Sequence, residues 1–153
     1  MIAGAVERYD EHLLAVRLTA GLAAVWDIVS RANQYLVEKE PWQLAKDPAR
    51  GDELAGVLYA AAETLRILAI LIQPIMPGAA QRLWDQLGVG GAVEARRVPV
   101  DVAWGGLKPG TVTSKGEALF PAWKPTDGTP RACVRGRDVS TDVSREAPLF
   151  TRS

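Results

Sequence analysis

The sequence predicts an all-α helical bundle closed by an irregular C-terminal strap. Apolar residues recur at steps of three and four in three separate segments, the signature of amphipathic helices. A proline-bracketed corner, Glu40-Pro41-Trp42-Gln43-Leu44-Ala45-Lys46-Asp47-Pro48, joins the first two segments. From Val89 onward Gly and Pro fall too often for a helix to survive.

From Val6 to Lys39 the residues Leu14, Leu18, Leu22, Val25, Val29, Ala32 and Leu36 line one face, and Asp27, Arg31, Gln34 and Glu38 follow the opposite one, so one long helix is expected. His12, near its start, has no second His, Cys or carboxylate at ligand spacing and reads as a solvated helix residue. At the corner, Pro41 has a φ already set for a first helical turn, and Asp47-Pro48 closes what it opens. After the loop at Pro48 and Gly51, the residues Leu54, Leu58, Ala61, Leu65, Leu68 and Ile72 mark a second long helix, in which Ala60, Ala61 and Ala62 permit close approach to the first. Gln73-Pro74-Ile75-Met76-Pro77 breaks it. A third helix from Pro77 to Leu87 turns Leu83, Trp84 and Leu87 inward, with Gly88 at its C-terminal cap.

In the strap, Val98, Val100 and Val102 alternate as a short strand does, and one or two brief β pairs are expected. Residues 1–121 are read as one bundle with its strap. Residues 122–153, rich in Pro, Gly, Thr, Ser and Arg, are read as a disordered tail in which Asp127, Asp138, Asp142 and Glu146 dilute the arginines.

With 153 residues, 48% of them hydrophobic, the chain has material for one core. Eighteen basic and eighteen acidic side chains cancel, so any affinity for nucleic acid must come from a local patch. The single Cys133 excludes an internal disulfide and any zinc site built on clustered thiolates. A reducing, cytoplasmic setting is expected, with no membrane partner, because the start lacks a basic n-region and no apolar run approaches the ~20 residues of a span.

Catalytic apparatus is not legible: there are no carboxylates at catalytic spacing and no glycine loop running from strand to helix. Recognition remains. Trp42 on its stiff corner has two readings, a core plug, which periodicity favours, or a platform for a nucleobase. Lys39, Lys46 and Arg50 flank the corner as candidate phosphate contacts or as solvated surface. Trp26, Trp84 and Trp104 are assigned to packing.

Val25-Trp26-Asp27-Ile28-Val29-Ser30-Arg31-Ala32-Asn33-Gln34-Tyr35-Leu36, the corner itself, Gln73-Pro74-Ile75-Met76-Pro77, Leu83-Trp84-Asp85-Gln86-Leu87-Gly88 and Trp104-Gly105-Gly106-Leu107-Lys108-Pro109-Gly110 follow in order. Together with Lys115-Gly116-Glu117 and Leu119-Phe120-Pro121, they resemble the anticodon-binding domain of methionyl-tRNA synthetase, a class I aminoacyl-tRNA synthetase, over roughly Leu13 to Pro121. The resemblance implies that Trp42 stacks on the first anticodon base with Pro41 holding the indole, that the partner is a methionine-type tRNA, and that the strap folds back along the helices toward a separate catalytic domain. It also implies that ATP and methionine bind that catalytic domain, leaving no cofactor and no activity for this chain alone. The family's edge-reading Asn and Arg lie on an earlier helix, before this sequence begins. Asn33 matches a different family position, where a buried amide tying helix to corner is expected. Thr113-Ser114-Lys115-Gly116 only faintly resembles the lysine loop that holds the adenylate. The alternative is a helical protein-interaction or scaffold module derived from a synthetase fragment, binding through the face left bare by the missing first helix.

Overall fold

A computed structural model describes residues 2–120, and the tail expected from residue 122 onward, with Trp123 and Cys133, lies outside them. Five α-helices follow in order: α1 (Ile2–Leu14), α2 (Leu18–Lys39), α3 (Pro41–Leu44), α4 (Gly51–Ile72) and α5 (Pro77–Gln86). Single 3-10 turns at Pro48–Arg50, Val93–Ala95 and Val100–Val102 punctuate the connections.

The long first helix expected from Val6 to Lys39 is two helices. Val16 adopts a left-handed φ of 57°, its N–H reaches back to the Leu13 carbonyl, and the Arg17 N–H reaches the His12 carbonyl at 2.8 Å. That is the hydrogen-bond pattern of a Schellman stop, built here on a valine where glycine is usual. Periodicity continues through the break, which is why the pattern hides it. The chain doubles back, and Gly21, buried on α2, lies against Tyr9 and Leu13 of α1. Leu14 and Leu18 flank the turn and stay exposed as a result, and Leu22 is half-buried. His12 is part-buried rather than solvated, and its Nδ1 has no partner among the described residues.

Helix α4 is the axis of the bundle and packs against α2, α3 and α5. Its second half is buried almost all round, from Glu63 through Leu71. Against it lie Ala5, Val6 and Tyr9 of α1, Ala24, Val25 and Ile28 of α2, and Ala80, Leu83 and Trp84 of α5, in one continuous core. Pro48–Ile72 is long and apolar enough to cross a membrane by length and composition, with mean hydropathy 1.8, contrary to the sequence expectation. Half of that window is buried inside the protein, and it carries the ion pair Glu63–Arg66, as a central core helix can.

Helix α4 ends as its prolines require. Pro74 has no N–H to offer the Ile70 carbonyl, which takes Gln73 N–H instead. The Ile75 N–H turns to Ile72, so the Leu71 carbonyl is left over, and the Tyr9 hydroxyl donates to it at 2.5 Å. One side chain on α1 thus completes the C-terminus of α4. Burial first, and then the neighbouring charge of Asp10, push the Tyr9 phenol up from its ordinary pKa.

The expected third helix is α5, with Leu83, Trp84 and Leu87 buried and Gly88 in a left-handed conformation just beyond its end. The expected β pairs are not formed: among the described residues the strap contains no strand. At Val100–Val102 the chain turns instead. Pro99 cannot donate to a ladder, and the Asp101 carboxylate accepts the Arg97 N–H at 2.7 Å while its own N–H returns to the Arg97 carbonyl.

The strap is fastened to α4 and α5. Glu63 accepts the N–H groups of Gly105, Gly106 and Leu107 at 2.7, 2.9 and 2.9 Å, and Arg66 donates to the carbonyls of Asp101 and Ala103. Gly106 is required there, because a Cβ would sit 2.6 Å from the Arg66 guanidinium carbon. Tyr59 of α4 donates its hydroxyl to the Leu107 carbonyl at 2.9 Å. Farther on, Gln86 and Arg82 of α5 donate to the carbonyls of Glu117 and Leu119.

Candidate nucleic-acid interface

The corner between α2 and α4 turns on one residue. Glu40 is at once the C-cap of α2 and the N-cap of α3, with φ 43° and ψ 58°. Its N–H closes α2 on the Leu36 carbonyl, and its own carbonyl accepts the N–H of Gln43 and Leu44 to open α3. Pro41 takes the first position of α3, where its missing N–H costs nothing.

With the axis set this way, Leu44 turns inward and is 3% exposed, while Trp42 is 52% exposed. The plug at this corner is therefore Leu44. Trp42, which periodicity favoured as the plug, stands at the surface on a short helix that opens at Pro41, buries Leu44 and packs against α4. An indole in that position has one use that a buried one lacks, which is to receive a flat partner.

The flanking cations differ from one another. Arg50 is committed to Glu53, with Nε at 2.9 Å and NH2 at 2.7 Å from the same carboxylate oxygen. Lys46 donates to the Gln43 amide at 2.9 Å and has no ion-pair partner among the described residues. Lys39, exposed in the last turn of α2, has no ion-pair partner among the described residues. Asp47 caps the following 3-10 turn by accepting the Ala49 N–H, which fixes the exit from the corner.

Three expectations are corrected at this surface. Asn33 is exposed on the outer face of α2 rather than buried against the corner. Trp26 and Trp104 are 57% and 55% exposed and are not packing residues in this chain. Only Trp84 of the three is core: its indole N–H donates to the Gly90 carbonyl at 2.9 Å, and the Arg96 guanidinium lies 5.3 Å from its ring centre. The Glu63–Arg66 clamp was missed, although opposite charges three residues apart inside the apolar run Ala60–Ile72 are a readable signal for a buried pair.

No group of three or more His, Cys, Asp or Glu among the described residues is placed to hold a metal ion. Elsewhere, a groove of about 880 Å³ runs between α1, α2 and α4, with Ile28, Ala32 and Tyr35 on one wall and Ala60 and Ala61 on the other.

Comparison with known proteins gives a consistent result. Residues 1–128 match the model of the anticodon binding domain of methionyl tRNA ligase. A methionine–tRNA ligase of Streptomyces coelicolor is 45% identical over 106 residues, covering 66% of this chain and 20% of that protein. One of Bacillus subtilis is 38% identical over 117 residues, covering 76% of this chain and 17% of its own length. Among solved structures, the crystal structure of the apo form of Mycobacterium tuberculosis methionyl-tRNA synthetase superposes with a TM-score of 0.65 at 31% identity, over 81% of this chain and 25% of that one. The chain thus spans about a fifth of the length of these relatives.

Proposed function

Because the chain belongs to the family of methionyl-tRNA ligase anticodon-binding domains, we propose that it binds the anticodon loop of a methionine-type tRNA, with Trp42 as the stacking platform. One observation carries this reading: at the corner the core position is filled by Leu44, which leaves the Trp42 indole half exposed on a short, anchored helix. Single-stranded loops are read by splaying bases onto aromatic faces, and a rigid platform spares the ordering cost of a mobile one. Lys39 and Lys46, neither with an ion-pair partner among the described residues, supply phosphate contacts beside it, and Arg50 contributes less because Glu53 already neutralises it.

The chain contributes recognition and no chemistry of its own. Aminoacylation, with its ATP and methionine, belongs to a catalytic domain working in the cytoplasm beside it. The test is titration of the purified chain with a methionine-anticodon stem-loop and a fully paired hairpin of equal length. Binding to the stem-loop that weakens as salt rises, with the hairpin bound more weakly, supports the reading. Equal affinity for both RNAs refutes it.

A second reading, a protein-interaction module, is favoured by the groove between α1, α2 and α4, which the exposed Trp104 lines, and by the exposed Leu58 and Leu65 on α4. Sedimentation separates the two: a stable dimer dissociated by Leu65→Glu, with stem-loop affinity absent throughout, would favour the second.

A further inference from the structure

The strap encloses a pocket of about 580 Å³ against α4 and α5, within the size range of small-ligand sites. It shares no residue with the corner around Trp42. Trp84, Val89, Val100, Ala103 and Trp104 supply its apolar lining, and Arg66, Arg96 and Lys108 its cations.

Arg96 is held in place yet short of acceptors. Its guanidinium lies 5.3 Å from the Trp84 ring centre, a cation–π contact that orients it. Its Nε is buried and has no hydrogen-bond partner among the described residues. The Asp101 carboxylate is 3.9 Å from its NH1, beyond hydrogen-bond length, and that carboxylate is already occupied by the Arg97 N–H at 2.7 Å. Arg66 uses four of its five N–H donors on Glu63, Asp101 and Ala103, and the fifth, on NH1, has no acceptor among the described residues. Lys108 is exposed and without an ion-pair partner among the described residues. Three cations in the lining stand against the Asp101 carboxylate, and Glu63 behind Arg66 brings the balance to one net positive charge.

We propose that this pocket binds a small carboxylate carried on a flat apolar body, its head on Arg96 and Lys108 and its body against Trp104. A buried donor without an acceptor is costly, and a ligand oxyanion would supply one. A planar carboxylate matches a guanidinium fork, and its single negative charge matches the net charge of the site, which a phosphate dianion would exceed. The half-exposed Trp104 indole offers a flat ring a face or an edge to pack on. The inference stands apart from the RNA-binding reading of the corner.

The test follows the indole N–H signals of the full chain by two-dimensional NMR while benzoate, benzamide, N-acetylphenylalanine and inorganic phosphate are titrated in turn at fixed ionic strength. Benzoate is expected to shift the Trp84 and Trp104 signals saturably, and benzamide, of the same shape without the charge, to bind about 10- to 100-fold more weakly. Arg96→Gln should weaken benzoate binding by a similar factor, and Trp104→Ala by about 2- to 10-fold. Helicity is recorded on each variant; if Arg96→Gln loses helicity, Lys108→Gln, on an exposed side chain, takes its place with a weakening in the same direction expected. Preference for N-acetylphenylalanine over benzoate makes a peptide C-terminus the source of the carboxylate, and the reverse preference a free acid. Phosphate bound as tightly as benzoate overturns the assignment to a carboxylate. Equal binding of benzoate and benzamide, no saturable shift with either, or wild-type affinity in the folded arginine or lysine variant overturns the site.

Discussion

Glu63 and Arg66, one turn apart on α4, hold each other at 2.8 Å with side chains 0% and 4% exposed, and between them they engage backbone groups of Asp101, Ala103, Gly105, Gly106 and Leu107. Both carboxylate oxygens and all three guanidinium nitrogens are engaged. A buried ion pair alone is weak evidence of stability, because desolvating two charges offsets their attraction. Here the carboxylate also gathers three strap N–H groups that would otherwise be orphaned, so the pair acts as the clasp of the strap.

Glu63→Gln is therefore expected to cost about 3–5 kcal/mol, the usual effect of leaving one buried charge without its partner. Urea unfolding followed by circular dichroism measures it. A loss under 1 kcal/mol would show that the strap is held by its apolar contacts at Val102 and Leu107.

The same carboxylate gives stability a pH dependence. Burial pushes the Glu63 pKa upward, but the hydrogen bonds from Arg66, Gly106 and Leu107 and the Arg66 charge outweigh it, so the group titrates below its ordinary 4.5. A carboxylate depressed on folding contributes stability that is complete above the unfolded value and is lost as pH falls through the folded one. Melting temperature should therefore fall as pH drops below about 4.5, and by less in Glu63→Gln than in wild type. Parallel profiles for the two proteins would assign the acid sensitivity to other groups.

Tyr9→Phe removes the only side-chain donor to the Leu71 carbonyl among the described residues. A buried acceptor left unsatisfied costs about 1–3 kcal/mol. Thermal melts should show that loss, with hydrogen exchange quickening first at the last turn of α4. Unchanged exchange there would mean that water replaces the hydroxyl.

Val16 is 80% exposed and sits at φ 57°, so its side chain contributes strain without packing. Val16→Gly should stabilise the chain by about 1 kcal/mol, the left-handed penalty less glycine's added unfolded-state freedom. A lower melting temperature in the variant would mean that α1 and α2 join differently.

Legibility in the sequence followed the physics of each element. Helices α4 and α5 were readable because periodicity, prolines and a capping glycine agree at Gly51, Pro77 and Gly88. The break at Ala15–Arg17 was not, because a valine occupies the left-handed position and leaves the apolar rhythm intact. The strap's missing strands trace to Pro99 and the Asp101 carboxylate, a local hydrogen-bonding choice that alternation at Val98, Val100 and Val102 does not encode. At the candidate site the corner and its prolines were legible. Which of Trp42 and Leu44 turns inward depends on the helix axis set by the left-handed Glu40, and that is visible only in three dimensions.

The most direct test of the Trp42 platform compares a methionine-anticodon stem-loop bound to wild type, Trp42→Phe and Trp42→Ala, with helicity recorded on the same samples. The expected result is a loss of about 1–3 kcal/mol of binding in Trp42→Ala, a partial loss in Trp42→Phe and no change in helicity, because the side chain is half exposed and Leu44 fills the core beneath it. Wild-type affinity in Trp42→Ala at unchanged helicity would contradict the account.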